Sequence, residues 1–544
     1  MRSSKTNNMK KTFLLLVIIS FFSCVQQEKA DLIIINANAY TVNNEFKISE
    51  SFAIKEGKFI GVGTNDAIQL RFKATKIIDA KNQTILPGLI DAHCHFYGLG
   101  LLQQKIDVTG TKSYDEVLQK IVAFQKEKKL DYITGRGWDQ NDWEVKEYPT
   151  KEKLDKLFPD TPVAISRIDG HALLVNQKAI DLAGITVNTK VSGGEIISKN
   201  GKMTGVLIDN AMSFIKTPNP SKNEQITALL DAQKICFNVG LTTVDDAGLD
   251  KQVIELIDSL QQTGDLKMRV YAMVANNKTN LDYYLQKGII KTDRLNVRSV
   301  KVYADGALGS RGATLKESYS DKHNHFGALV NSYDDLQSVA KRIAASEYQM
   351  NTHSIGDSAN YVMLKTYHSL LKNNKDRRWR IEHAQIVDPK DFHYFKNILP
   401  SIQPTHATSD MYWAKDRVGE NRMKGAYAYK ELRKIYGMVA LGTDFPIENV
   451  SPIRTFYAAT IRKDLGGFPA NGFQTENALT RENTLKGMTI WAAFSNFEEK
   501  EKGSIEVGKF ADFIILDQNI MEVEGSLIPK TNVLATYVNG EKVN

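Results

Sequence analysis

The sequence predicts an α/β protein: a (β/α)8 TIM-type barrel with a large insertion after its first strand, plus a small β-sandwich built from both chain ends. Three observations carry this. Short apolar strands alternate with helix-like stretches eight times through the middle of the chain. A long piece at about 97–240 interrupts that alternation after the first strand. Both ends are strand-rich, and each is too small to hold a core alone.

The chain begins with what reads as an export signal over residues 1–24. "MKK" at 9–11 is a charged n-region, and "TFLLLVIISFF" at 12–22 is an apolar h-region too short to span a bilayer as a mature helix. Ser23-Cys24 follows, then polar "VQQEKAD". A small residue before a lone cysteine resembles a bacterial lipobox, which makes Cys24 the lipidation site. The expectation is an exported bacterial protein facing the periplasm or cell surface, held to the membrane only through an N-terminal lipid.

Next comes strand material. "ADLIIINANAYTV", "SFAIKEGKFIGVG" and "KIIDAKNQTILP" alternate or run apolar, with turns at "KEGK" and "DAKNQ". "GSIEVGKFADFIILDQ" and "VLATYVNGEKV" at the other end read the same way, the second with an Asn-Gly hairpin turn. Residues 31–84 and 500–544 are therefore expected to form the composite sandwich, and 85–499 the barrel. Its strands are read at 85–93, 241–247, 268–274, 299–304, 349–353, 379–384, 399–403 and 438–444, with helices including 223–238, 251–262 and 334–346. Within the insertion, "SGGEIISKNGKMTGVLID" is hairpin-like and not barrel material.

Composition narrows the partners. At 42% hydrophobic and 24% charged, the chain has an ordinary globular balance with ample core. Arg2, Lys5, Lys10 and Lys11 lie in the signal, so the net charge of +7 falls to +3 beyond it. No basic run or aromatic platform accompanies that small excess, which argues against a nucleic-acid partner. Of three cysteines, Cys94 and Cys236 have no spacing that suggests a disulfide framework or zinc ribbon.

Polar residues end the barrel strands: His93 and His95 on the first, Lys301 in the fourth, His353 on the fifth, His383 on the sixth, Asp444 on the eighth. In such barrels chemistry gathers at the face where the strands end. A strand alternates its side chains, so the two histidines of "LPGLIDAHCHF" share a face. Imidazole is the commonest metal ligand. Each residue alone has an ordinary structural reading, as a capping, packing or surface group; their joint arrival at one opening points to a metal centre.

The chain resembles the amidohydrolase superfamily, and within it the N-substituted formamide deformylase-like branch of metal-dependent hydrolases. The likeness rests on "LPGLIDAHCHF", "GRGWDQNDW", "RIDGHALLVN", "KVYADGALGSRGA", "NTHSIGD", "RIEHAQ", "QPTHATSDMYWAKDR", "ALGTDFPIE" and "GSIEVGKFADFIILD". It implies two divalent metal ions, zinc by ligand type. The inner ion falls to His93 and His95, the outer to His353 and His383. A CO2-derived carbamate on Lys301 bridges the two, and Asp444 serves as ligand and base. The activity implied is hydrolysis of a C–N bond in a small-molecule amide or N-substituted formamide. Expected substrate-binding residues are His171, Asp305, Arg311, Gln403, His406 and Trp413. Two rivals remain: a deaminase or cyclic-amide hydrolase of the same superfamily, and, from another class, a catalytically inactive periplasmic binding lipoprotein. A CO2-carrying lysine speaks against one-metal deaminases, and no ligand is missing as a dead site would require. Oligomeric state is not legible.

Overall fold

Eight parallel strands form the centre of the computed structural model, which describes residues 27–544 apart from 168–171, 192–193, 218, 310 and 373. They are β1 (Leu89–Cys94), β2 (Leu241–Leu249), β3 (Arg269–Ala275), β4 (Leu295–Tyr303), β5 (Gln349–Ser354), β6 (Arg380–His383), β7 (Leu399–Ile402) and β8 (Ala440–Leu441). Each pairs in parallel with the next. The sheet nearly closes on itself. Past the end of β8, Asp444 N donates to His93 O at 2.8 Å and His95 N donates to Phe445 O at 2.8 Å. Gly442 allows this approach, since a Cβ there would meet His93 N at 2.5 Å and Asp91 Oδ1 at 2.8 Å. Helices Lys222–Asn238, Lys251–Thr263 and Tyr333–Ala344 match three stretches that the periodicity marks, and the first opens with a Ser221–Glu224 capping box.

The run 85–93, expected as one strand, is divided between two sheets. Thr84–Pro87 pairs antiparallel with Phe513–Leu516, and only Leu89–Cys94 enters the barrel. Both halves are fully buried. A continuous apolar run reads the same whichever buried sheet it joins, so periodicity could not show the break. The expected strand 438–444 contributes only Ala440–Leu441 to the ladder, because Thr443 and Asp444 turn away to bond β1.

Both chain ends supply strands to one six-stranded sheet, and a four-stranded sheet built from residues 28–79 lies beside it. Leu32, Ile34, Phe52 and Phe59 of the second share a buried cluster with Ile85, Phe513 and Tyr537 of the first. The expected Asn-Gly turn joins Val533–Val538 to Glu541–Lys542; Asn539 and Gly540 have φ of 52° and 71°, the left-handed pair such a turn requires. At the far end of the barrel from the strand termini, Arg269 grips Asp512 with two hydrogen bonds, Nε–Oδ2 at 2.6 Å and Nη2–Oδ1 at 3.0 Å. Both groups are buried, so this pair ties the barrel to the chain-end sheet.

Residues 106–209 hold a separate six-stranded sheet with its own core around Ile121, Trp138, Ile165 and Leu174. Its outer strands, Gly194–Lys199 and Lys202–Asp209, form an antiparallel hairpin.

Candidate metal centre

The strand ends bring the six ligand-competent residues together. His93 Nε2 lies 2.9 Å from Lys301 Nζ and 3.7 Å from Asp444 Oδ1. His95 Nε2 is 3.3 Å from the same oxygen. The His383 ring centroid is 4.8 Å from that of His93 and 4.5 Å from that of His353. The ligand atoms of His93, His95 and Asp444 all lie within 4.8 Å of one another, as do those of His383, His406 and Asp444. In that second group His406 stands where the resemblance implies His353. His95 is not itself in the strand: β1 ends at Cys94, and His95 precedes helix Phe96–Leu102.

Backbone conformation helps to aim these groups. His383 and Asp444 have φ of 75° and 63°, in the left-handed region that side chains with a Cβ rarely adopt. Such strain costs on the order of 1–3 kcal/mol and persists where the surroundings enforce it. For Asp444 the surroundings are the β8–β1 seam. Asp91 Oδ1 accepts from His93 N at 3.1 Å and Thr443 N at 3.0 Å, and Oδ2 accepts from Thr443 Oγ1 at 2.7 Å.

His93 is held from behind. Glu382 Oε2 lies 2.6 Å from its Nδ1. Arg380 donates from Nε to Glu382 Oε1 at 2.6 Å, from Nη1 to Asp245 Oδ2 at 3.0 Å and from Nη2 to Ala92 O at 2.6 Å. Asp245, Arg380 and Glu382 have fully buried side chains. A carboxylate on Nδ1 keeps the proton there and leaves Nε2 as a bare lone pair facing the site.

Electrostatics favour ligand forms. Burial, with the Lys301 charge beside it, pushes His93 down to about 4 and His353 down to about 3, so both rings are neutral at neutral pH. Burial, then the neighbouring His353, depresses His383 in the same direction. Burial lowers the Lys301 amine to about 8. His406 goes the other way: burial opposes its charge, but hydrogen bonds to Asp444 and Glu448 outweigh that and hold it as a cation, up to about 10. His406 Nε2 is 3.3 Å from Asp444 Oδ2, and its Nδ1 is 3.1 Å from Glu448 Oε1.

The residues fit a cation. Among the described residues, His353 Nε2, His383 Nδ1 and Asp444 Oδ1 are buried atoms without a hydrogen-bond partner. Unsatisfied buried polar atoms cost free energy and call for an explanation. Three of them at one opening, from imidazole and carboxylate, are what a divalent ion with nitrogen and oxygen ligands would satisfy.

A cavity of about 410 Å³ opens over these groups, and Trp413 and His406 line it. Asp305, Arg311 and Gln403 do not. The Asp305 carboxylate accepts from the amides of Thr314, Ile355 and Gly356 at 2.8, 3.0 and 2.9 Å, so it shapes the loops after β4 and β5. Arg311 forks onto Asp321 at 3.0 and 2.9 Å. Gln403 is buried, and its amide reaches only Ser401 O, at 3.5 Å. For Asp305 and Arg311, nearer protein partners take the polar atoms that a substrate would need, whereas Gln403 Oε1 is buried without a hydrogen-bond partner among the described residues. His171 and Cys24, with the whole signal, lie outside the described residues. Sequence reasoning missed Tyr303, Gln385, Asp410 and Glu448 in the lining, and Asp91, Asp245, Arg380 and Glu382 behind it. Asp91 and Tyr303 left a signal, each two residues along a strand from a candidate ligand, His93 and Lys301, and so on the same face.

Barrel, strand-end ligands and cavity together define a metal-dependent hydrolase. The chain belongs to the amidohydrolase family, whose sequence model matches residues 76–544. It is 31% identical to protein LONG AFTER FAR-RED 3 of Arabidopsis thaliana over 94% of this chain and 91% of that one. It is 23% identical to the N-substituted formamide deformylase of Arthrobacter pascens, over 94% of this chain and 97% of that one. Among solved structures, a metal-dependent hydrolase from Pyrococcus horikoshii OT3 superposes with a TM-score of 0.76 at 28% identity, covering 91% of this chain and 99% of its own.

Proposed function

We propose that this protein hydrolyses the C–N bond of a small-molecule amide, of the amide or N-substituted formamide type. The observation that carries the reading is the convergence of three unpartnered buried polar atoms, on His353, His383 and Asp444, beside a buried lysine at the mouth of the barrel. The likeness to the Arthrobacter pascens deformylase supports the formamide branch. A complete set of ligand-competent groups speaks against an inactive binding protein.

His93, His95, Lys301, His353, His383 and Asp444 are the residues that would hold two divalent ions, with zinc suited to imidazole and carboxylate ligands. Such an ion supplies a Lewis acid for the carbonyl and brings the pKa of water to about 7. Lys301 is depressed enough for part of its amine to be neutral near neutral pH. Its Nζ can then add to the carbon of CO2, forming an N–C bond and losing one proton to solvent, which yields a carbamate with two oxygens. Asp444 takes a proton from the attacking water and returns it to the leaving nitrogen as the C–N bond breaks. Glu382 fixes the His93 tautomer throughout. His406, charged and facing the cavity, is a donor for negative charge developing on the carbonyl oxygen. Export and lipidation at Cys24 form part of the same proposal.

The test is a panel of N-substituted formamides, acetamides and matched esters presented to zinc-loaded protein, with amine or alcohol release followed. Amide or formamide turnover above the esters is the expected result. Ester turnover with no amine released from any amide would overturn the reading.

A further inference from the structure

The cavity over the metal centre is lined by two unlike sets of side chains. One is apolar, with Leu308, Ile355, Trp413 and Ile447; the other is acidic, with Asp410 and Glu448. Among the described residues that line it there is no arginine, and the lone lysine is Lys301, itself at the centre. Two arginines near the rim, Arg311 and Arg417, are both tied to Asp321. Away from the centre, a substrate carboxylate would therefore meet no arginine or lysine on this lining, and the cationic His406 is already paired with Asp444 and Glu448.

The acidic side is not uniformly occupied. Asp444 and Glu448 are committed to His406, and Glu448 Oε1 also accepts from Ser409 Oγ at 2.5 Å. Asp410 differs. Its Oδ2 accepts from Tyr427 Oη at 2.8 Å and from Gln385 Nε2, and Oδ1 has no hydrogen-bond partner among the described residues. A carboxylate oriented through one oxygen and open at the other is a receptor for a donor group. Asp410 lines the same cavity as the candidate ligands His353 and His383, so a substrate held at the metal centre would lie beside it. The apolar part of the lining is closely fitted: a Cβ on Gly309 would come within 3.3 Å of the Trp413 ring.

Resting on the hydrolytic reading above, we propose that the substrate is an amide with an apolar, ring-sized body and a protonated amine, and that Asp410 is the residue that selects it. The body lies against Trp413 and Leu308, and the ammonium group donates to Asp410 Oδ1. Amides that bear a carboxylate, such as N-acyl amino acids, are rejected.

Three formanilides that differ only at the para position, with methyl, aminomethyl or carboxymethyl, test this on zinc-loaded protein. One charged hydrogen bond is worth about ten-fold or more. The aminomethyl compound should exceed the methyl compound by about ten-fold in kcat/KM, and the carboxymethyl compound should fall at least about ten-fold below it. In Asp410→Asn the aminomethyl-to-methyl ratio should collapse toward one, and Asp410→Glu should restore the order. Calorimetry on chelator-stripped protein gives a readout free of turnover: 4-methylbenzylamine should bind more tightly than 4-methylphenylacetate, and Asp410→Asn should remove the difference. Equal kcat/KM for all three, or preference for the carboxymethyl compound, overturns this inference and leaves C–N hydrolysis standing. Turnover of none of them counts against the hydrolytic reading, and the calorimetric order then decides this one.

Discussion

Replacing Glu382 by Ala should weaken metal binding more than it weakens the fold. The side chain is fully buried and makes two 2.6 Å contacts, to His93 Nδ1 and to Arg380 Nε. Its loss leaves Arg380 with Asp245, still 3.0 Å away, so the guanidinium is not stranded. Breaking a buried ion pair costs about 3–5 kcal/mol, and the surviving Asp245 contact places this case near the lower figure. Unfolding entropy of about 2.1 cal/mol/K per residue gives roughly 1 kcal/mol/K for a chain of this size, so Tm should fall by about 3 °C. Metal affinity should drop by about 10–100-fold, because His93 loses the acceptor that fixes its tautomer and ring orientation. Glu382→Gln keeps the volume and an acceptor oxygen for His93, and should recover part of the affinity. Zinc competition against a chromophoric chelator measures the first quantity, and calorimetry of stripped protein the second. If Glu382→Ala loses the expected Tm and binds zinc as tightly as the parent, Glu382 is packing alone, and the relay from Asp245 to His93 has no bearing on the metal.

Asp444→Asn keeps size and one oxygen but cannot take a proton, so kcat should fall by about 10²–10⁴-fold with metal content little changed; near-normal turnover would pass the proton to another group, His406 first. The parent should carry close to two zinc-like ions per chain by elemental analysis, and Lys301→Ala fewer, with partial rescue by short carboxylic acids; full parent activity with one ion or less would demote Lys301 to structure. Burial pushes the Asp512 carboxyl up, but Arg269 outweighs it and holds the group below the ordinary carboxylate range. Its stabilisation is therefore present above the unfolded value of about 4 and lost as pH falls below that through the folded value. The Tm deficit of Asp512→Asn should be full at pH 7 and shrink in acid, and a deficit that stays constant down to pH 3 would contradict the ion pair. Cys24→Ser should release the protein from membranes and abolish incorporation of labelled fatty acid; unchanged membrane association with no label in either form would leave simple signal cleavage as the better description.

The class of the fold, and most of the residues that gather at the candidate site, were legible without coordinates. A buried parallel strand must be a short apolar run, and a helix that covers it must repeat at 3.6 residues, so the eight-fold alternation is written locally. Polar residues at the ends of such runs, His93, Lys301, His353, His383 and Asp444, stand out because that position is costly for anything without a task. What only tertiary structure decided is which polar atom each residue meets. Glu382 adjoins His383 in sequence, yet neighbours on a strand point to opposite faces. It bonds His93, 289 residues away, instead. Asp305 and Arg311 carry the residue types of a binding loop, but backbone amides and Asp321 claim them first. His406 reaches the site because the helix after β7, Pro404–Asp410, sets it against Asp444. The split of 84–94 between two sheets, and the glycine that lets β8 reach β1, are likewise settled by which buried surface lies nearest. Residue type and spacing record what a segment needs; only the folded chain determines which of several competing partners is close enough to supply it.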